Sequence, residues 1–230
     1  MSEVLIYLTR HGKTMLNHLE RIQGWSDSPL TAEGAEVARQ LGRGLRDTSF
    51  AAVYTSDRGR TVETANLVLE ESGQTALPIT QLYDLREYGF GKYESDFNLN
   101  VLELVAKENG FATLEELHAA ENTVDRHYII DTVARLDETG MAEDRLTFQT
   151  RIKRGLVTIC EEVLAQGGGN VLAIAHGMVI HNLLLLLDST KATHGIDNAS
   201  VSKIVYRDGT FFVESVNDTS YIEAGSKITV

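Results

Sequence analysis

A single cysteine, Cys160, leaves no possibility of an internal disulfide, and no Cys-His spacing suited to a metal ion occurs along the chain. Long apolar runs are missing too. The most apolar window, Met178 to Leu187, is interrupted by His181 and Asn182, is too short to span a bilayer and reads as a buried helix. No apolar signal stands at the N-terminus, which with the lone thiol predicts a reducing, cytoplasmic setting. Basic residues are scarce, 21 against 33 acidic, for a net charge of -12. Such a surface does not steer nucleic acid or anionic membrane toward itself, so neither is expected as a partner. The imbalance is local: Glu94 to Arg145 holds 13 acidic and 4 basic residues, and the remainder is close to neutral. No internal repeat or low-complexity segment occurs.

What is present suits an α/β protein. With 43% hydrophobic residues, 230 residues can bury a substantial core. Val4 to Leu8 reads as a buried strand. Thr31 is a predicted N-cap for a helix through Ala38, Leu41 and Leu45 that ends near Arg46. Ala51 to Thr55 is a second strand, Ser56 or Asp57 is expected to cap a helix through about Glu70, and Ile79 to Leu85 is a third strand. Between Lys92 and Asp144 the pattern changes to polar helices, around Leu99 to Lys107, Leu114 to Glu121 and Val124 to Leu136. Ile152, Leu156, Ile159, Cys160 and Val163 mark a long amphipathic helix from Arg145 to Gln166, closed by Gly167-Gly168-Gly169. Asn170 to Ala175 is the next strand, with His176-Gly177 leading into another helix. Lys203 to Tyr206 and Phe211 to Val216 flank Asp208-Gly209, a hairpin signal. The expected architecture is a three-layer sandwich on a mostly parallel sheet with one antiparallel edge strand. All 230 residues would form one domain with a helical insertion at about 92–144.

Four signals fall at the ends of core elements: Arg10-His11-Gly12, Ser56-Asp57-Arg58-Gly59-Arg60, Arg86-Glu87 and His176-Gly177. The carboxyl ends of parallel strands share one sheet edge, where ligands usually sit, so the topology would gather all four. Singly, each is more often an exposed turn, a solvated helix charge, an ordinary loop carboxylate or a hydrogen-bonded strand-end histidine. Jointly, two histidines, two arginines and a carboxylate suffice for metal-free cleavage of a phosphate ester.

These residues resemble the histidine phosphatase superfamily, which includes the cofactor-dependent phosphoglycerate mutases. Thr9-Arg10-His11-Gly12 is similar to the family signature, Gln23 to Thr31 to its phosphate loop and first helix cap, Ser56 to Ala65 to its second arginine motif, and Ala175-His176-Gly177 to its second histidine motif. The resemblance implies His11 as nucleophile, with Arg10, Arg60 and His176 around the equatorial oxygens and Glu87 as general acid. It further implies a phosphohistidine intermediate, no metal or cofactor, and inorganic phosphate as product. His11 must then attack as neutral imidazole, its other ring nitrogen protonated and held by an acceptor such as a backbone carbonyl. Asn17, Gln23, Gly24 and Gly177 match positions that face the phosphate. Asn17 reads equally as a helix cap, and Trp25 as apolar cover for its loop. No motif claims His18, His118, His127, His181 or His194.

Within that family the chain leans toward hydrolysis of a small phosphorylated metabolite. Leu85 to Glu94 is more similar to the phosphatase form of the acid motif, and Met178 replaces the asparagine that mutases carry after the second His-Gly. The alternatives are a phosphoglycerate mutase and, from a different class, a non-catalytic phosphate-binding module. The insertion stands where the family places a cap, and its carboxylates either roof the pocket against polyanionic substrates or face solvent. A homo-oligomer is left open.

Overall fold

The computed structural model describes residues 3–121, 127–193 and 195–228. A six-stranded sheet has the order β3-β2-β4-β1-β5-β6. It comprises β1 (Val4–Arg10), β2 (Ala52–Thr55), β3 (Ile79–Gln81), β4 (Gly169–Ala175), β5 (Val201–Arg207) and β6 (Thr210–Asp218). The first four are mutually parallel, while β5 runs antiparallel to both β1 and β6. The reversed strand is thus one place in from the edge, and β6 closes the sheet. The hairpin is made by Asp208 and Gly209, both at positive φ (51° and 77°), the pair of left-handed residues that a tight right-twisted hairpin demands.

Alternation along the central strands builds the three layers. Val4, Ile6 and Leu8 of β1, with Val171, Ala173 and Ala175 of β4, face one helical layer containing α7 (Arg145–Ala165) and α8 (Gly177–Leu187). Tyr7, Leu172 and Ile174 point the other way, toward α2 (Ala32–Gly44) and α3 (Gly59–Glu71). The apolar stripe predicted for α7 is buried in full, Cys160 included. The helices of the insertion, α4 (Asn98–Glu108), α5 (Leu114–Glu121) and α6 (His127–Leu136), add Val101, Val105, Leu117, Ile130 and Val133 to the same apolar cluster as Ile152 and Leu156. The predicted start of the last of these, at Val124, lies outside the described residues, as do His194 and the side chains of His118 and His127. No helix among the described residues is long and apolar enough to cross a membrane.

Two local expectations are corrected. The third strand ends at Gln81, and Tyr83–Leu85 coil into a 3-10 turn. The carbonyls of Asp84 and Arg86 there accept from Arg151 Nη1 at 3.0 and 2.8 Å, which draws the chain off the sheet toward α7. Neither Ser56 nor Asp57 caps α3; its cap residue is Arg58, which supplies no side-chain bond. Asp27, from a distant loop, instead accepts the Gly59 N–H at 2.5 Å. The cap at Thr31 is as predicted, its hydroxyl accepting from Gly34 N at 3.0 Å.

The connection from β1 leads to α2 below the sheet and that from β4 to α8 above it, so the crevice between these adjacent strands is a switch point of the topology. Arg10 is paired in register with Ala175, and His11 N–H donates to the Ala175 carbonyl at 3.0 Å. Both histidine motifs therefore emerge side by side.

Candidate active site

His11 and His176 lie with ring centroids 5.2 Å apart, both essentially buried. His11 Nδ1 is 2.7 Å from the Gly12 carbonyl, which can only accept, so Nδ1 carries the proton and Nε2 the lone pair. Burial, then the charges of Arg60 and Arg10, hold its pKa well below 6.5. The imidazole is neutral and in the tautomer a nucleophile needs. Asn198 Nδ2 donates to the His11 carbonyl at 2.8 Å, fixing the residue from the opposite side.

His176 has the other tautomer. Its Nδ1 accepts from Arg60 Nη2 at 2.9 Å and Nε at 3.2 Å, so Nε2 bears the proton and donates to Ser56 Oγ at 2.8 Å. Burial, then Arg60, holds this ring neutral as well. Arg60 is fully buried and further donates to the carbonyls of Ser26 and Gly24, both at 2.8 Å, and to Asp27 Oδ1 at 2.9 Å. With every donor of its fork engaged by protein, Arg60 ties the 23–27 loop to His176 and acts on His11 through its charge.

Glu87 is buried, with Oε1 accepting from Tyr88 N and Oε2 from Met178 N, each at 3.0 Å. The second bond places the carboxyl at the N-terminus of α8, which favours its ionised form. Desolvation nevertheless outweighs those bonds and the charges of Arg60 and Arg10, and raises its pKa above 4.5. The Glu87 carbonyl accepts from Trp25 Nε1 at 3.0 Å, so Trp25 anchors the segment that carries Glu87. Arg10 donates through Nη1 to the Ile196 carbonyl at 2.5 Å, while its buried Nε has no hydrogen-bond partner among the described residues. That leaves Arg10 a donor for a ligand.

A cavity of about 320 Å³ opens beside these groups, its walls including Arg10, Asn17, Gln23, Glu87 and Gly177. Asn17 both supports a helix cap and borders the cavity. Its Oδ1 closes a capping box on the Thr14 N–H at 3.3 Å over the short helix α1 (Met15–His18), and the side chain also lines the cavity. Gln23 reaches the wall with its amide fixed between Thr14 and Ser28. Gly24 does not line the cavity: its N–H donates to Glu94 Oε2 at 3.1 Å. A side chain there would collide with the Tyr88 carbonyl, since an added Cβ would lie 2.2 Å from it.

Sequence reasoning missed several walls. Arg21 lines the cavity, with its guanidinium 3.9 Å above the Phe97 ring and Nη1 donating to the Ser95 carbonyl at 2.7 Å. His181 and Asn182, read as core, also face the cavity, as do Gly195 and Ile196 from a loop carrying no motif. Arg21 stands two residues before Gln23-Gly24, which was the available signal.

Among the described residues the carboxylates of the insertion do not roof this space. Among those residues the insertion contributes Asn98 and Ile129 to the walls and no carboxylate. Glu103, Glu108, Glu115, Glu116, Asp131 and Glu138 are exposed to solvent instead. Among the described residues no cluster of three or more His, Cys, Asp and Glu is arranged to hold a metal ion.

The sequence model of the histidine phosphatase superfamily (branch 1) matches residues 6–219. The chain belongs to that superfamily. Its members are phosphatases or mutases working on small phosphorylated substrates. The crystal structure of a phosphoglycerate mutase from Bacillus anthracis is similar over 98% of both chains, with a TM-score of 0.94 and 46% identity. The 2,3-bisphosphoglycerate-dependent phosphoglycerate mutase 1 of Latilactobacillus sakei is 28% identical over 219 residues, 89% of each chain. The α-ribazole phosphatase of Shigella flexneri shares the fold, with a TM-score of 0.71 and 24% identity over 94% of this chain and 97% of that one.

Proposed function

We propose that this superfamily member is a metal-independent phosphomonoester hydrolase acting on a small phosphorylated metabolite. The observation that carries the reading is the opposed tuning of two buried groups, His11 held neutral with Nε2 unprotonated and Glu87 biased toward its protonated form. His11 Nε2 attacks phosphorus, and the ester P–O bond breaks as Glu87 delivers its proton to the departing oxygen. The phosphohistidine is then attacked by water, whose proton goes to the Glu87 carboxylate, releasing inorganic phosphate and restoring both groups. Arg10, with its uncommitted Nε, meets the charge spread over the phosphoryl oxygens, and Asn17 and Gly177 border the same space. Arg60 and His176 are buried beside His11, where Arg60 fixes the second ring, and burial together with the Arg60 charge holds both imidazoles neutral.

Hydrolysis is favoured over phosphoryl exchange by the composition of the walls. A mutase must retain a doubly phosphorylated intermediate while it reorients, and among the described residues the insertion offers no lysine or arginine to the cavity. The whole chain then acts as one unit in which α4 to α6 are the cap. A mutase reading is supported by the Bacillus anthracis protein's name and by the extra cation Arg21. A panel of phosphate monoesters assayed beside phosphoglycerate isomerisation with 2,3-bisphosphoglycerate separates the two. Release of phosphate without isomerisation is expected, and isomerisation faster than release would reverse the assignment.

A further inference from the structure

An ion pair outside the cavity grips the chain on both sides of Glu87. Arg151 and Glu143 are 4% and 7% exposed and joined at two points, Nε to Oε1 at 2.7 Å and Nη2 to Oε2 at 2.5 Å. Arg151 Nη1 also donates to the carbonyls of Asp84 and Arg86, and Nη2 reaches that of Glu87 at 3.2 Å. Glu143 takes the other flank: its Oε2 accepts the Gly89 N–H at 3.0 Å, and its own N–H donates to the Gly89 carbonyl at 3.1 Å. From residue 84 to residue 89 these two side chains and Trp25 hold the backbone next to Glu87 itself, while the side chains of Asp84 and Arg86 are paired with Arg154 and Asp57 and those of Leu85 and Tyr88 are buried.

Stability alone is a weak reason for such a pair. Removing two charges from water costs about as much as their attraction returns, and apolar residues of similar volume would serve as well or better. A planar fork that meets a carboxylate and several carbonyls at once does supply direction. Direction matters here because Glu87 must reach the ester oxygen at hydrogen-bond distance, and displacement of a reacting group by about 1 Å can cost on the order of 100-fold in rate.

We propose that Arg151 and Glu143 are positioning residues for the proton donor, setting where the Glu87 carboxyl stands without touching substrate. The inference rests on the reading of Glu87 as general acid. Its signature is selective, because a misplaced acid slows esters whose leaving oxygen needs a proton and spares those whose leaving group departs as a stable anion.

The test measures kcat/KM, which reports the step that phosphorylates His11, for 2,4-dinitrophenyl, 4-nitrophenyl and alkyl phosphates. Wild type is compared with Arg151→Met, Glu143→Gln and Glu87→Gln. Glu87→Gln should lose about 100-fold or more on the alkyl ester and far less on the dinitrophenyl ester. Arg151→Met and Glu143→Gln should show the same steepened dependence on the leaving group, at roughly tenfold or more on the alkyl ester. Glu143→Gln keeps the side-chain shape, so it answers the question if Arg151→Met does not fold. Equal losses on all three esters in the two ion-pair variants, beside a steepened Glu87→Gln, would overturn the positioning role. A Glu87→Gln variant with no such dependence would instead remove the general acid on which the inference stands.

Discussion

Arg60 directs two N–H groups at one ring nitrogen of His176, Nδ1, and thereby forces the proton onto Nε2, which Ser56 Oγ accepts. A protonated Nδ1 would face a permanent cation with no acceptor, so the second histidine is locked neutral by its neighbour. Ser56→Ala should leave that Nε2–H buried and unsatisfied, costing about 1–3 kcal/mol. A lowering of the unfolding temperature by roughly 2–4 °C per kcal/mol is expected in thermal denaturation, with a smaller effect from Ser56→Thr. An unchanged unfolding temperature would show that the bond contributes nothing.

His11→Ala should remove turnover while the fold remains, because among the described residues its ring hydrogen-bonds only to the neighbouring Gly12 carbonyl and the strand pairing involves its backbone. Acid-labile label from a phosphorylated substrate should appear on wild type and be absent from the variant. Residual turnover near wild type, or labelling of the variant, would assign the nucleophile elsewhere.

The parts of this site that were legible in the sequence are those whose chemistry is announced by the residue itself. Arg10-His11 and His176-Gly177 follow unmistakable apolar strands, and parallel pairing brings strand ends together. Thr31 and Asp208-Gly209 were readable for the same reason, since capping and turn chemistry are local. Ser56 was misread because a serine before a helix usually caps it, whereas here tertiary contact with His176 claims the hydroxyl. The early end of the third strand was hidden because its cause, Arg151, lies about 70 residues away on α7. The direction of the insertion's carboxylates also depends on packing, and periodicity did not reveal it. Arg21 was overlooked as one charge in a polar loop.

The pH dependence follows from two shifts of opposite sign. Phosphorylation of His11 needs a neutral imidazole, whose pKa is held well below 6.5, and a protonated Glu87, whose pKa is raised above 4.5. For an alkyl ester, kcat/KM should fall at low pH as His11 gains its proton and at high pH as Glu87 loses its own. Glu87→Gln should erase the high-pH limb and leave the low-pH one. A limb that persists in this variant would belong to another group.

Glu87 also makes a stability prediction. Its folded pKa is raised, so the native state binds that proton more tightly than the unfolded chain. The resulting stability is full below about 4.5 and is lost as pH rises through the folded value. At pH 8 the buried carboxylate is therefore a cost, and between pH 5 and pH 8 wild type should lose more unfolding temperature than Glu87→Gln, whose amide does not titrate. His11 and His176 act in the opposite sense: their folded pKa values are depressed, and the stability they contribute above pH 6.5 is lost as the solution is acidified. Thermal denaturation of both proteins from pH 4 to pH 8 checks the difference, and profiles that run parallel would contradict it.

Arg21 bears on what kind of phosphate ester the cavity accepts. With Nη1 committed to Ser95 and the guanidinium stacked over Phe97, it presents a fixed positive charge on the cavity wall, separate from Arg10. Apart from Glu87, no carboxylate among the described residues shares that wall, so a second anionic group on the substrate would be attracted there. Arg21→Ala should raise KM about tenfold, equivalent to roughly 1.4 kcal/mol, for esters carrying a carboxylate or second phosphate. Esters with a neutral body should be turned over as before. Arg21→Lys should recover part of the loss, because charge survives where the fork does not. An equal rise for both classes would mean that Arg21 serves only to tie the phosphate loop to residues 95–97, and selection by charge would then have to come from another wall.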